Sequence, residues 1–243
     1  TTEIYTLSLH DALPISITIL LTALLLPAIR QQPLIQQSTQ LNKGITSRFQ
    51  YLEDGRIAVA ENSKGFRVTY TYYEGQIIKE ILVNATANVL RDTIILDKNG
   101  LAIQEKLNSG LLQECTYNSY SQLTMVRSFI NGSKQIAKDV IQWNGADEKE
   151  LLQYDDDGKL TNRMIFYYTD SISTITDLNI GRAFTGKKSL HLLSKSIAIQ
   201  TSNSGTDTTV AEYRYRFDLN KRVVLKVMYS NGVLADSTAY SYM

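Results

Sequence analysis

A single cysteine, Cys115, and two histidines, His10 and His191, are too few for a Cys/His zinc site, and a lone thiol has no partner for an internal disulfide. Three prolines and 13 glycines in 243 residues exclude collagen-like and proline-rich linker classes. Charge of one sign is also missing: 25 Lys+Arg against 24 Asp+Glu leave a formal net charge of +1, so no bulk field favours a nucleic-acid partner. No phosphate-binding glycine loop, G-x-S-x-G elbow or H-E-x-x-H pair occurs, and no cofactor is expected. What is present is 43% hydrophobic sequence, enough for a real core in one large or two small domains.

The longest apolar run is residues 15–26, bounded by Pro14 and Pro27. Twelve residues suit the h-region of an export signal, whereas a spanning helix needs roughly twenty. We therefore expect a short apolar helix over residues 15–30, an exported chain, and a periplasmic or cell-surface location. The first 29 residues carry no Lys or Arg, and residues 2–15 resemble the translation of a sequencing adapter, so residues 1–14 are set aside as an artefact and His10 is not interpreted. Residues 31–47, with five glutamines and no periodicity, read as a polar tether. Membrane contact is expected only through the export segment or a lost lipid anchor.

From Arg48 onward the chain alternates with period two between turn residues. Phe66, Val68, Tyr70 and Tyr72 share one face, and Val223, Leu225, Val227 and Tyr229 repeat the arrangement. The turns fall into two interleaved series. One runs through Asp54-Gly55, Glu74-Gly75, Asn99-Gly100, Tyr120-Ser121, Asn144-Gly145 and Leu219-Asn220; the other runs through Lys64-Gly65, residues 84–88, Ser109-Gly110, Asn131-Gly132, Asp157-Gly158 and Asn231-Gly232. Recurrence within a series is every two strands and two turns, about 20 to 26 residues. These signals predict an all-β fold over residues 48–243: an antiparallel meander of repeated hairpins that curls into a trough, half-barrel or superhelical sheet. The period lapses between 169 and 210, which reads as an insertion holding one strand over residues 195–201.

The segments Tyr51 to Ile57, Tyr154 to Leu160 and Tyr213 to Tyr242 resemble the tyrosine- and Asp-Gly-rich hairpin repeats of the RHS/YD type, and a family of exported bacterial lipoproteins of unknown function that carry them. The resemblance covers most of the chain after Arg48 and implies a repeat architecture without implying a reaction. No lipobox cysteine follows the apolar run.

Chemistry is sparse. Asp155-Asp156-Asp157-Gly158 lacks EF-hand spacing, with Lys159 fifth and Phe166 twelfth, and reads as a solvated hairpin tip. Asp147, Glu148, Glu150 and Asp155 are the carboxylates a glycan-active hydrolase would use, and all sit in or beside turns. Cys115 shares one alternating face with Leu111 and Tyr117, as an inert buried thiol would, which disfavours a Cys115–His191 nucleophile. The candidate ligand surface is Tyr213, Tyr215 and Tyr229 with Arg214 and Arg216, where rings stack a sugar or peptide and guanidinium groups supply hydrogen bonds. The expectation is a non-catalytic binding or scaffold protein of the cell envelope, with a glycan or envelope protein as partner. The alternatives are a hydrolase using the turn carboxylates and a fragment of an RHS-like shell.

Overall fold

The structure, a computed structural model, describes residues 33–83, 89–202 and 204–243. Sixteen strands run in chain order among them. The first eight are β1 (Ile35–Gln40), β2 (Ile45–Tyr51), β3 (Ile57–Asn62), β4 (Arg67–Tyr73), β5 (Gln76–Leu82), β6 (Val89–Leu96), β7 (Ala102–Lys106) and β8 (Leu111–Tyr117). The second eight are β9 (Leu123–Ile130), β10 (Lys134–Asn144), β11 (Asp147–Tyr154), β12 (Leu160–Ile172), β13 (His191–Ser202), β14 (Gly205–Phe217), β15 (Val223–Ser230) and β16 (Val233–Tyr242). Each pairs antiparallel with its sequence neighbours.

The expected trough, half-barrel or superhelical sheet is corrected by one pairing: β1 lies against β16, with Ile35 opposite Tyr242 and Gln40 opposite Thr238, and the sheet closes into a barrel. The strand that closes it lies inside residues 31–47, where a tether was expected. Its residues are polar on both faces, Gln37 and Thr39 on one and Ser38 and Gln40 on the other, so no hydrophobic alternation betrays it. Without β1 the edge of β16 would keep unpaired backbone groups, and closure removes that edge altogether. The expected apolar helix falls on residues 15–30, outside the described residues. The only helical elements among those described are two 3-10 turns, Asp177–Ile180 and Ala183–Thr185. Within 169–210 both flanks are sheet: β12 continues to Ile172 and β13 begins at His191.

One rim carries the first turn series together with both ends of the described chain, where Met243 N–H donates to the Leu34 carbonyl at 3.1 Å. We call it the proximal rim. Its turns share a device. Asp97 Oδ1 accepts from the N–H groups of Asn99 and Leu101 at 2.8 and 2.9 Å, and Asn118 and Asp218 repeat the pattern two and four residues on. These backbone donors hold the Asp97 and Asp218 carboxyls below the usual carboxylate range. Asp155 does the same work at the opposite, distal rim, where its Oδ1 accepts from the backbone N–H groups of Asp157 and Lys159.

A second device explains the aromatics before the proximal turns. Tyr72 at the end of β4 donates its hydroxyl to the Ile57 carbonyl at the start of β3, at 2.9 Å. Tyr51 reaches Ile35, Tyr117 reaches Ala102, Tyr215 reaches Leu193 and Tyr242 reaches Val223 in the same way, and Trp143 Nε1 substitutes by donating to Leu123. Each latch ties a strand end to the beginning of its predecessor, beside a β-bulge at the second residue of β3, β7, β9 and β15. The buried layer lies at this end: Ile35, Ile57, Ile77, Ile94, Leu192 and Val223, with Phe184 seated on Ile77 and Ile94.

The latches carry a pH prediction. Burial pushes the Tyr72 hydroxyl up to about 12 and raises those of Tyr51, Tyr117, Tyr215 and Tyr242 as well. A group whose folded value exceeds its unfolded value contributes stability below the unfolded value, about pH 10, and loses it as pH rises further. Cooperative unfolding is therefore expected above about pH 10, with phenolate absorbance and loss of β circular dichroism appearing together. Phenols titrating at their ordinary value in an intact barrel would show that the latches are open.

Candidate functional site

Residues 173–190, between β12 and β13, form a strap across the proximal end. Its base is pinched by Ser173 N–H donating to the Leu190 carbonyl at 2.8 Å. From there it is tied to the wall around the ring. Thr174 Oγ1 accepts from Val223 N–H at 2.9 Å, Asn179 Nδ2 donates to the Pro33 carbonyl at 3.0 Å, and Gly181 O accepts from Ile57 N–H at 3.1 Å. Lys187 N–H then donates to Ser121 O at 2.8 Å and Leu190 N–H to Ala146 O at 3.1 Å. Two glycines make the close approaches possible. Gly181 (φ 72°) sits where a Cβ would lie 2.6 Å from both Gly55 O and Ile57 N, and Gly186 (φ 79°) where it would lie 2.6 Å from the Tyr117 ring.

The strap lies between two chambers. The first, about 390 Å3, faces β4 to β9. Its inward charges are paired: Lys79 Nζ is 2.8 Å from Asp92 Oδ2 and 2.5 Å from Glu105 Oε1, and Asp177 on the strap meets Arg182 at 3.6 Å and Lys188 at 3.5 Å. Burial alone would lower the Lys79 ammonium, but the hydrogen bonds that it donates to Asp92 and Glu105 outweigh that and hold it above its ordinary value. Burial pushes the Cys115 thiol up, against nucleophilic use. His191 lines the other chamber, so the sequence pair Cys115 and His191 is divided between the two.

The second chamber, about 310 Å3, lies between the strap and β11 to β15. His191 is fixed by Asp147, which accepts from its backbone N–H at 2.9 Å and sits 2.7 Å from its Nδ1. Ser189 Oγ meets the Tyr168 hydroxyl at 2.8 Å and accepts from Glu148 N–H at 3.0 Å. The Glu148 carboxyl and the Lys226 ammonium face this chamber with no hydrogen bond or ion pair among the described residues. Burial raises the Glu148 carboxyl, opposed by Lys188, and lowers the Lys226 ammonium, opposed by Asp236.

The sequence-derived ligand surface is split by the pleat. Tyr213 and Tyr215 point into the lumen, where Tyr215 is a latch and the Tyr213 hydroxyl is 3.5 Å from Ser196 Oγ. Arg214 and Arg216 point outward, and the Arg214 guanidinium lies 4.9 Å over the Tyr229 ring. The proposed hydrolase carboxylates are likewise dispersed: Asp147 holds His191, Glu148 faces the lumen, Glu150 pairs with Arg163 outside, and Asp155 holds a distal turn. Glu148 belongs to the turn carboxylates of the sequence and the strap to its 169–210 insertion, whereas Lys226 stands outside the sequence-derived ligand surface. The inward position of Lys226 could have been read from its place opposite Tyr215, had the bulge at Val224 been visible.

No family model and no curated protein matches the chain. Solved structures do resemble it. The crystal structure of a porin-like protein from Bacteroides uniformis aligns with a TM-score of 0.61 at 15% identity, covering 86% of this chain and 98% of that one. That of a porin-like protein from Bacteroides vulgatus aligns with a TM-score of 0.59 at 13% identity, covering 86% of this chain and 99% of that one. The likeness is one of fold.

Proposed function

We propose that this is an exported envelope barrel that stands in the aqueous phase and holds a ligand in its lumen, not a lipid-embedded channel. The observation that carries the reading is the charge on the outward face. Glu80 pairs with Arg91 at 2.6 Å, Glu114 with Arg127 at 2.8 Å, and Glu150 with Arg163, each pair within the strands of the outer wall. A membrane barrel needs an outward apolar band about 25 Å tall, and an outward Arg or Lys at mid-bilayer costs about 2–4 kcal/mol. Strand length supports the same reading: β7 has 5 residues and β1 and β3 have 6 each, against the roughly 9–11 a spanning strand requires. The porin-like name of the structural neighbours fits an envelope setting, and the latched aromatics and Asx turns fit the RHS/YD-like repeats.

Residues 31–243, produced without residues 1–30, are expected to remain monodisperse without detergent and to stay in the aqueous phase on detergent phase separation. Aggregation relieved only by detergent would overturn the reading.

A further inference from the structure

The two chambers share a strap and a wall yet treat charge differently. In the first, Lys79 is held by two carboxylates and Asp177 by two cations. In the second, Lys226 and Glu148 reach into the cavity from β15 and β11 with no hydrogen bond or ion pair among the described residues. A half-buried charge without an ion pair destabilises a fold, and methionine at position 226 would cost less. The tyrosines on the lining make other bonds: the Tyr215 hydroxyl donates to Leu193 and the Tyr168 hydroxyl meets Ser189. The nearest carboxylate on the neighbouring strand, Asp236, makes no ion pair with it.

We infer that the second chamber binds a small hydroxylated carboxylic acid of sugar-acid size, its carboxylate on Lys226, its hydroxyls on Glu148 and the strap, and its ring against Tyr213 and Tyr215. The inference rests on the lumenal-ligand reading above and gives that ligand a chemical class. Charge selects a monoanion: of the two ammonium groups on this lining Lys188 is held by Asp177 at 3.5 Å, which leaves Lys226 as the cation outside an ion pair among the described residues, while the Glu148 carboxyl on the lining and Asp236 acting on Lys226 oppose a phosphate-like dianion. Size selects a single ring, since about 310 Å3 stands at the low end of ligand pockets, which run from about 300 to 1,000 Å3. Hydroxyls on Ser173, Thr176 and Ser189 favour a polar ring over a purely apolar acid.

Isothermal titration of the protein with glucuronate, glucose and acetate tests this. Glucuronate is expected to bind, with glucose, which lacks the carboxylate, and acetate, which lacks the ring, about tenfold or more weaker. Lys226→Met should lose about tenfold or more of glucuronate affinity while its thermal midpoint holds or rises, and Glu148→Gln should weaken binding without unfolding. Glucuronate binding equally to wild type and Lys226→Met, no binding of glucuronate, or a fall in the Lys226→Met midpoint would each overturn the inference. Solubility without detergent does not depend on any ligand, so a barrel that stays soluble yet ignores glucuronate overturns the chamber assignment alone.

Discussion

Replacing Gly181 by alanine is expected to destabilise the barrel by about 2–4 kcal/mol. Two costs combine. The residue adopts φ 72°, where a side chain is disfavoured, and its Cβ would enter the space held by Gly55 O and Ile57 N, each 2.6 Å away. Those atoms belong to the β2–β3 turn and its hydrogen bond to the strap, so neither can withdraw without breaking the Ile57–Gly181 contact. Gly100→Ala is the control: its φ of 78° is similar but no atom lies within 4 Å of the new Cβ, so only the backbone cost of about 1–2 kcal/mol remains. Chemical denaturation of both variants, with limited proteolysis over residues 173–190, separates the terms. Equal losses would mean that the approach of strap to wall contributes nothing.

Lys79→Ala is expected to cost about 3–5 kcal/mol at neutral pH, because it leaves two inward carboxylates without their cation. Asp92 is the critical one: its side chain is 4% exposed, and its other oxygen already accepts from Asn108 N–H at 2.9 Å. Neutralising the whole cluster with Lys79→Met, Asp92→Asn and Glu105→Gln should recover most of the loss, since the attraction and the desolvation penalty vanish together. The folded Lys79 value is raised, so the contribution of the charged amine is complete below its unfolded value, about pH 10.4, and is lost as pH climbs through the folded one. Urea denaturation at neutral pH checks the ranking: a triple variant no more stable than Lys79→Ala would contradict it.

Much of the wall was legible in the sequence, because tight hairpin tips need few residue types and those recur. The turns at Asp54-Gly55, Asn99-Gly100 and Asn231-Gly232 all lie between paired strands. Closure was not legible, because β1 earns its place through backbone pairing with β16 and β2 and not through an apolar face. The facing of β15 was misleading for a related reason. Leu225, Val227 and Tyr229 form its more apolar row, yet the bulge at Val224 turns that row outward and brings Lys226 and Met228 into the lumen. A bulge inverts every side chain beyond it, and no single residue type announces one. Of the candidate ligand residues, Tyr213 and Tyr215 do line a chamber, while Arg214 and Arg216, their immediate neighbours, had to face the other way by the pleat itself.

Because every strand touches only its two neighbours, the count of hairpins sets the calibre of the ring, as circumference grows with strand number. The segment tied from Thr174 to Gly181 to Lys187 spans that ring like a spoke of fixed length, anchored on β15, β3 and the turn before β9. Duplication of a hairpin would widen the wall beyond what the spoke can reach, and deletion of one would leave it slack. Its length thus gauges the diameter, and a change in the number of hairpins would have to be matched by a change in the strap.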